Sequence, residues 1–297
     1  MTLQVKQLSK QIDKRPIIED ISFEWAPGEI IGLVGRNGVG KTTLFRTMMN
    51  HYVANGGEVL VDGTSTLAKP ALQQRLFFLD TQYNFLNNYR LWELPDFFKL
   101  VYGKFDQERY MQLLADFKLN RNSQYRRLSK GMRALVNMIL ALSSNATYII
   151  LDEPFDGMDV IVRENIATMI IDEVADQEKG FLISSHDLNE LDGLSDRVLL
   201  LKDAKLLHDY NLEDVRSKAK KLQLVFNGKE IPAVLKAHSQ VIRASGRVLV
   251  VVITDYTPEI DQELRALHPV LFEELPLTLE DLFRANLAHD TGYQLIK

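Results

Sequence analysis

Residues 35–43 read GRNGVGKTT, a set of types and spacings suited to holding a polyphosphate. Glycines at 35, 38 and 40 leave the backbone free to turn several N–H groups onto one anion. Asn37 and Thr43 complete the loop, Lys41 is spaced to reach the outer phosphates, and the Thr42 hydroxyl is placed to coordinate Mg²⁺. The apolar run ahead of the loop, residues 29–34, predicts a strand, and Leu44-Phe45-Arg46 behind it predicts a helix. The N-terminus of that helix adds unpaired donors and the positive end of its dipole. A glycine-rich turn with a chance lysine is the plain alternative, and the flanking strand and helix signals weigh against it. The chain is expected to bind a nucleotide.

A second group of residues complements the first. Tyr148-Ile149-Ile150-Leu151-Asp152-Glu153-Pro154 places two adjacent carboxylates at the end of a buried strand, where ligands of parallel α/β sheets bind. Asp152 is expected to hold Mg²⁺, directly or through water, and Glu153 to polarise an attacking water. Between the two groups lies Leu128-Ser129-Lys130-Gly131-Met132, a serine and a glycine at a predicted helix start. That is a second candidate anion site, though a serine cap is commonplace on its own.

In this order the motifs resemble those of an ATP-binding-cassette ATPase, the nucleotide-hydrolysing subunit of an ABC transporter. The phosphate loop, the signature at 128–132 and the carboxylate strand are followed by a D-loop-like Asp156-Gly157-Met158-Asp159 and a switch histidine, His186. The resemblance covers about residues 1–210. It implies ATP and Mg²⁺ as cofactors and a head-to-tail dimer in which Ser129 and Gly131 touch the γ-phosphate held by the partner chain. Asp159 would couple the two sites, and His186 would contact the γ-phosphate of its own site. The family signature is usually LSGGQ. The Lys130 and Met132 seen here resemble the LSKGM and YSKGM forms of a bacterial drug- and bacitracin-export-like branch. The usual adenine-stacking aromatic falls at Ile12, which offers an apolar contact without stacking. In the glutamine loop, either Asp80 or Gln82 falls at the Mg²⁺-sensing position, with Gln82 preferred.

The resemblance also implies partners and a place. A separate integral membrane permease would dock on the ATPase, holding it on the inner, cytoplasmic face of the cell membrane, and the ATPase dimer would be a homodimer or a heterodimer with another such subunit. Of the 26 aromatic residues of the chain, 11 fall in positions 77–110. Core packing accounts for more than half of them on this reading, and Tyr83, Phe85, Tyr89 and Trp92 are the candidates for an exposed docking groove. The same motifs also fit two other functions: a soluble ABC-type switch acting on ribosomes or DNA, and a weakly hydrolysing nucleotide sensor. One phosphate loop, no long heptad segment and a formal net charge of -5 argue against the first and against a nucleic-acid partner.

The elements that must position these groups follow from patterning. An α/β core of the P-loop NTPase, ABC-type class is expected over residues 1–212, with an antiparallel β subdomain at the start and an inserted helical subdomain at about 85–145. The first thirty residues read as short strands broken by Pro27-Gly28. Strands at 148–151, 181–184 and 197–201, with a helix at 160–178, imply a parallel sheet with crossover helices. Residues 213–221 read as a charged helical link. A small α+β unit over 213–297 follows, with strands near 222–226, 241–244, 247–254 and 270–274 and helices at 258–267 and from 278. A structural or dimer-stabilising role is its expected use. Cysteine is absent, which excludes disulfides and thiolate metal sites. The first residues lack the apolar core of a signal peptide, and the longest apolar runs are strand-sized.

Overall fold

The computed structural model describes residues 1–80, 85–176, 178–227, 230–239, 241–288 and 294–296. It divides into two compact units, residues 1–190 with 194–209 and residues 210–297 with 191–193.

The first unit holds two sheets. One is antiparallel, in the order β2-β1-β4-β5, built from β1 (Leu3–Ile12), β2 (Arg15–Trp25), β4 (Gly56–Val61) and β5 (Thr64–Ser65). The first thirty residues are thus one long hairpin rather than several short strands. Asp13 and Lys14, at φ 51° and 63°, close it in a two-residue turn, and register shifts along β1 absorb the irregular patterning that suggested breaks. Ile21, Phe23 and Trp25 alternate into the core from β2, and Ile18 is buried one step out of that phase.

The second sheet has six strands in the order β10-β9-β3-β8-β7-β6. These are β3 (Ile30–Val34), β6 (Leu76–Phe78), β7 (Tyr148–Asp152), β8 (Gly180–Ser185), β9 (Arg197–Lys202) and β10 (Lys205–Asn211). From β9 through β6 the pairing is parallel. β3 and β8 are buried along their whole length, which is why they read as continuous apolar runs and not as alternation. The edge strand β10 went unread in the sequence, since Lys205-Leu206-Leu207-His208-Asp209-Tyr210 alternates half-buried with exposed residues and has no apolar run.

The helices of this unit are α1 (Lys41–Met48), α2 (Leu94–Val101), α3 (Gln107–Asp116), α4 (Lys130–Ser143), α5 (Val160–Ala175) and α6 (Leu188–Leu191). Helix α5 stops at Ala175, three residues short of the expected end, because Lys179 is buried against Glu173 and the chain must enter β8 at Gly180. A chain of ring contacts, Phe77–Phe98–Tyr102 with Phe98–Phe105–Tyr110, fills the helical region with centroids 5.5–6.2 Å apart. Core packing therefore uses a large part of the aromatic cluster, while Phe85, Tyr89 and Trp92 are exposed. Tyr83 lies outside the described residues.

The second unit is a five-stranded sheet in the order β14-β11-β13-β12-β15, from β11 (Lys220–Val225), β12 (Val241–Ser245), β13 (Val248–Ile253), β14 (Leu271–Leu275) and β15 (Gln294–Ile296). Its helices are α7 (Leu212–Lys218), α8 (Ala233–His238), α9 (Pro258–Ala266) and α10 (Leu279–Ala288). Leu222, Leu224, Val251, Ile253, Leu235 and Leu264 form its core. The predicted link is half helix and half strand: α7 ends at Lys218, and Lys220-Lys221 already pair with β13.

Candidate functional site

Three adjacent parallel strands deliver the site from their C-terminal ends. β3 leads into the phosphate loop and α1, β8 into His186, and β7 into Asp152 and Glu153. Gly40 caps α1 at φ 116°, and a Cβ there would lie 2.7 Å from the Ile17 carbonyl oxygen of β2, so only glycine fits. Gly35 is confined as well: an added Cβ would meet Val39 and the Leu201 carbonyl at 2.7 and 2.8 Å.

Loop and strand ends together enclose a cavity of about 370 Å³, lined by Asn37, Gly38, Gly40, Lys41, Thr42, Thr43, Glu153, Asp156 and His186. Lys41 is almost fully buried. Its Nζ donates to the Gly35 carbonyl at 2.6 Å and stands 3.0 Å from Glu153 Oε1. The other oxygen of Glu153 is 2.5 Å from His186 Nδ1. The hydrogen bond to Glu153, and then its charge, raise the His186 pKa above the ordinary 6.5. Glu153 reaches both groups because its backbone turns left-handed, φ 48°, at the end of β7.

Asp152 sits one residue back and serves a different set. Thr42 Oγ1 donates to Asp152 Oδ2 at 2.6 Å, and Ser184 Oγ donates to Oδ1 at 2.6 Å. The same Ser184 hydroxyl accepts the Glu153 N–H at 2.9 Å. A hydroxyl and a carboxylate side by side are the hard oxygen pair that Mg²⁺ takes from protein when substrate phosphates supply further ligands. Among the described residues, no cluster of three or more His, Asp or Glu offers a self-contained metal cage.

Several expected residues stand elsewhere. Ser129 caps α4, accepting the Met132 N–H at 3.2 Å, and Gly131 packs so closely on α5 that a Cβ would lie 3.1 Å from Val162. Neither lines this chain's own cavity. Asp159 caps α5 by accepting the Val162 N–H at 3.0 Å. Ile12 ends β1, is 38% exposed, and is not among the lining residues. Asp80 accepts two hydrogen bonds from the Arg46 guanidinium, at 2.6 and 3.1 Å, which commits its carboxylate to that pair. Gln82 lies outside the described residues. Two participants carried no role in this site on sequence grounds: Asp156, read there only as part of a D-loop-like segment, and Ser184 beneath the carboxylates. Ser184-Ser185, a polar end to an otherwise apolar strand, was the available signal for the second.

A separate apolar groove of about 680 Å³ runs past Met49, Phe78, Phe85, Phe97, Phe98 and Val101, with the Arg46–Asp80 pair and His51 also on its wall. Burial holds the His51 pKa below 6.5.

Comparison with known proteins agrees with this geometry. A family model described as ABC transporter matches residues 18–156. The chain is 31% identical over 283 residues to the ABC transporter ATP-binding protein YtrB of Bacillus subtilis (strain 168), covering 95% of this chain and 97% of that protein. It is 32% identical to the lipopolysaccharide export system ATP-binding protein LptB of Acidithiobacillus ferridurans, covering 69% of this chain and 88% of that one, and import subunits are among its relatives too. A solved ATP-binding subunit of an ABC transporter superposes with a TM-score of 0.66 at 24% identity, covering 73% of this chain and 92% of that chain, which shows a shared fold.

Proposed function

This chain belongs to the family of ABC transporter ATP-binding proteins, and on that premise we propose that it is the ATPase engine of an exporter whose membrane permease is a separate chain. The family binds and hydrolyses ATP. The observation that carries the reading is the convergence of Lys41, Glu153 and His186 on the lining of one cavity behind the glycine-rich loop, with Glu153 within reach of both Lys41 and His186. Catalysis on such a site is positioning and charge neutralisation.

In this mechanism the loop N–H groups and Lys41 hold the β- and γ-phosphates, and the start of α1 adds its dipole. Glu153 accepts a proton from the attacking water, while His186 donates to the γ-phosphate. Thr42 and Asp152 would hold Mg²⁺, which supplies charge neutralisation between the phosphates. Gln82 is assigned the metal-sensing position and Ile12 an apolar contact with the base. Ser129 and Gly131 serve the site of a partner subunit in a head-to-tail dimer, and Asp159 links the two sites. Whether that partner is a second copy or a sister ATPase does not alter these roles.

The permease is assigned to the groove beside Phe85, Phe97 and Val101, which offers apolar surface for one face of a short helix. Among the described residues no helix is long and apolar enough to cross a membrane. Such a permease would hold the ATPase against the inner face of the membrane. Export is supported by the Ser-Lys-Gly-Met signature. The carboxy-terminal unit is assigned an accessory, dimer-stabilising role.

The test is to tag the chain in its native host, solubilise membranes in mild detergent and identify what co-purifies. A stoichiometric multi-span membrane protein is expected, with recovery reduced by Phe97→Asp. Recovery from the soluble fraction alone, or with ribosomes, would overturn the assignment. Loading vesicles with the reconstituted pair then fixes direction.

A further inference from the structure

Lys130 occupies a position that the local physics of its helix does not favour. It is the first residue of α4, where the dipole presents its positive end, and the first turn contains no acidic residue. A cation there weakens the helix slightly, so its placement needs another partner. That partner is Asp156, whose Oδ2 accepts a hydrogen bond from Lys130 Nζ at 2.8 Å across 26 residues of chain.

Two further observations tie the pair to the phosphate cavity. Asp156 is one of the residues lining it, together with Glu153 and His186. Gly157, at φ 63°, clears the approach, because a Cβ on it would lie 2.7 Å from Lys130 Nζ. Both side chains are more than half exposed, so as a stability element the pair contributes little. The charge balance of the cavity is a better account. Lys41 and His186 both lie against Glu153, so the second carboxylate of the lining, Asp156, takes its countercharge from Lys130 at a point where a polyanion must enter.

We propose that Lys130 is a specificity-determining residue of the chain's own nucleotide site: it neutralises Asp156 at the cavity mouth and so admits the triphosphate. This rests on the reading that ATP is the ligand of that cavity. The direction of the Asp156 pKa agrees, since it is held below the usual carboxylate range chiefly by the hydrogen bond from Lys130. An unscreened carboxylate several ångströms from the outer phosphate repels each of its charges by a factor of roughly three in water. Loss of Lys130 should therefore weaken ATP binding about three- to tenfold, and ADP binding less.

The experiment is displacement of a fluorescent nucleotide from the full chain by ATP and by ADP, in EDTA, at low and at 0.5 M salt. Lys130→Gln is expected to lose ATP affinity more than ADP affinity, with the loss shrinking at high salt. Lys130→Arg should restore it, and so should Asp156→Asn in the Lys130→Gln background, because removing the repelling charge replaces the need for the countercharge. Equal losses for ATP and ADP, or no recovery in the double variant, would overturn the proposal and leave Lys130 a structural tie or a contact to another subunit. Failure of the unaltered chain to bind ATP would instead overturn the function assigned to the cavity.

Discussion

Replacing Asp80 by alanine should destabilise the first unit by an amount the structure allows to be worked out. Arg46 is 8% exposed and pairs with Asp80 through two guanidinium nitrogens, and the pairing raises its already high pKa further. Removing the carboxylate leaves a buried charge that cannot be neutralised by deprotonation. Breaking such a pair costs about 3–5 kcal/mol. The Tyr52 hydroxyl still accepts from Arg46 at 3.0 Å, and its ring lies 5.6 Å from the guanidinium, so the lower end, about 3 kcal/mol, applies. Asp80→Asn keeps one acceptor and should lose roughly half as much. In the double variant Arg46→Met/Asp80→Leu, most of the loss should return, because apolar groups of similar size remove the desolvation penalty along with the attraction. The assay is urea unfolding followed by tryptophan fluorescence. Both tryptophans, Trp25 and Trp92, belong to the first unit, so the signal reports that unit. With a urea slope of roughly 3 kcal/mol per molar, the Asp80→Ala midpoint should fall by about 1 M. A fall below about 0.3 M, or a double variant as unstable as the single one, would refute the reasoning.

Two other outcomes can be checked on the same protein. Glu153→Gln should slow steady-state phosphate release by roughly 10²–10⁴-fold. It should also bring the His186 pKa down towards 6.5, so that His186 loses its proton at lower pH in the variant than in the native chain; a native hydrolysis rate or an unmoved His186 titration by NMR would contradict the roles given to the pair. Gly40→Ala must place a side chain at φ 116° and 2.7 Å from a carbonyl oxygen, a strain of about 1–3 kcal/mol, and should weaken nucleotide binding at least about tenfold in the displacement assay; native affinity would show that the loop can be rebuilt without left-handed backbone.

The chemistry of the site was legible where it is written in short, contiguous segments. The phosphate loop and the adjacent carboxylates announce themselves because backbone freedom, cation and strand end lie within a few residues of one another. What escaped notice depends on partners that the fold alone brings together. Ser184 meets Asp152 across 32 positions, Arg46 meets Asp80 across 34, and Lys130 meets Asp156 across 26. In the sequence Lys130 reads as a subgroup trait of the signature, and nothing in the linear order ties it to the nucleotide cavity. The aromatic cluster could be located but only partly sorted: Tyr102 and Tyr110 are buried, whereas Phe85, Tyr89 and Trp92 are exposed, and composition does not distinguish the two groups. The apolar runs of β3, β7 and β8 are legible as strands, whereas the three-residue β6 is too short to show a pattern and the half-exposed edge strand β10 has no apolar run.

The placement of β8 between β3 and β7 has a geometric consequence. The phosphate loop and the carboxylates rise from strands that are not neighbours, so their main chains stand two interstrand spacings apart, about 10 Å, and the Lys41 and Glu153 side chains span that width to meet at 3.0 Å. That width is a property of main-chain hydrogen bonding, identical whatever side chains the strands carry. The fold therefore acts as a fixed gauge block. Substitutions on the rim can retune charge, water access or turnover, but none of them can narrow or widen the slot without breaking a parallel ladder.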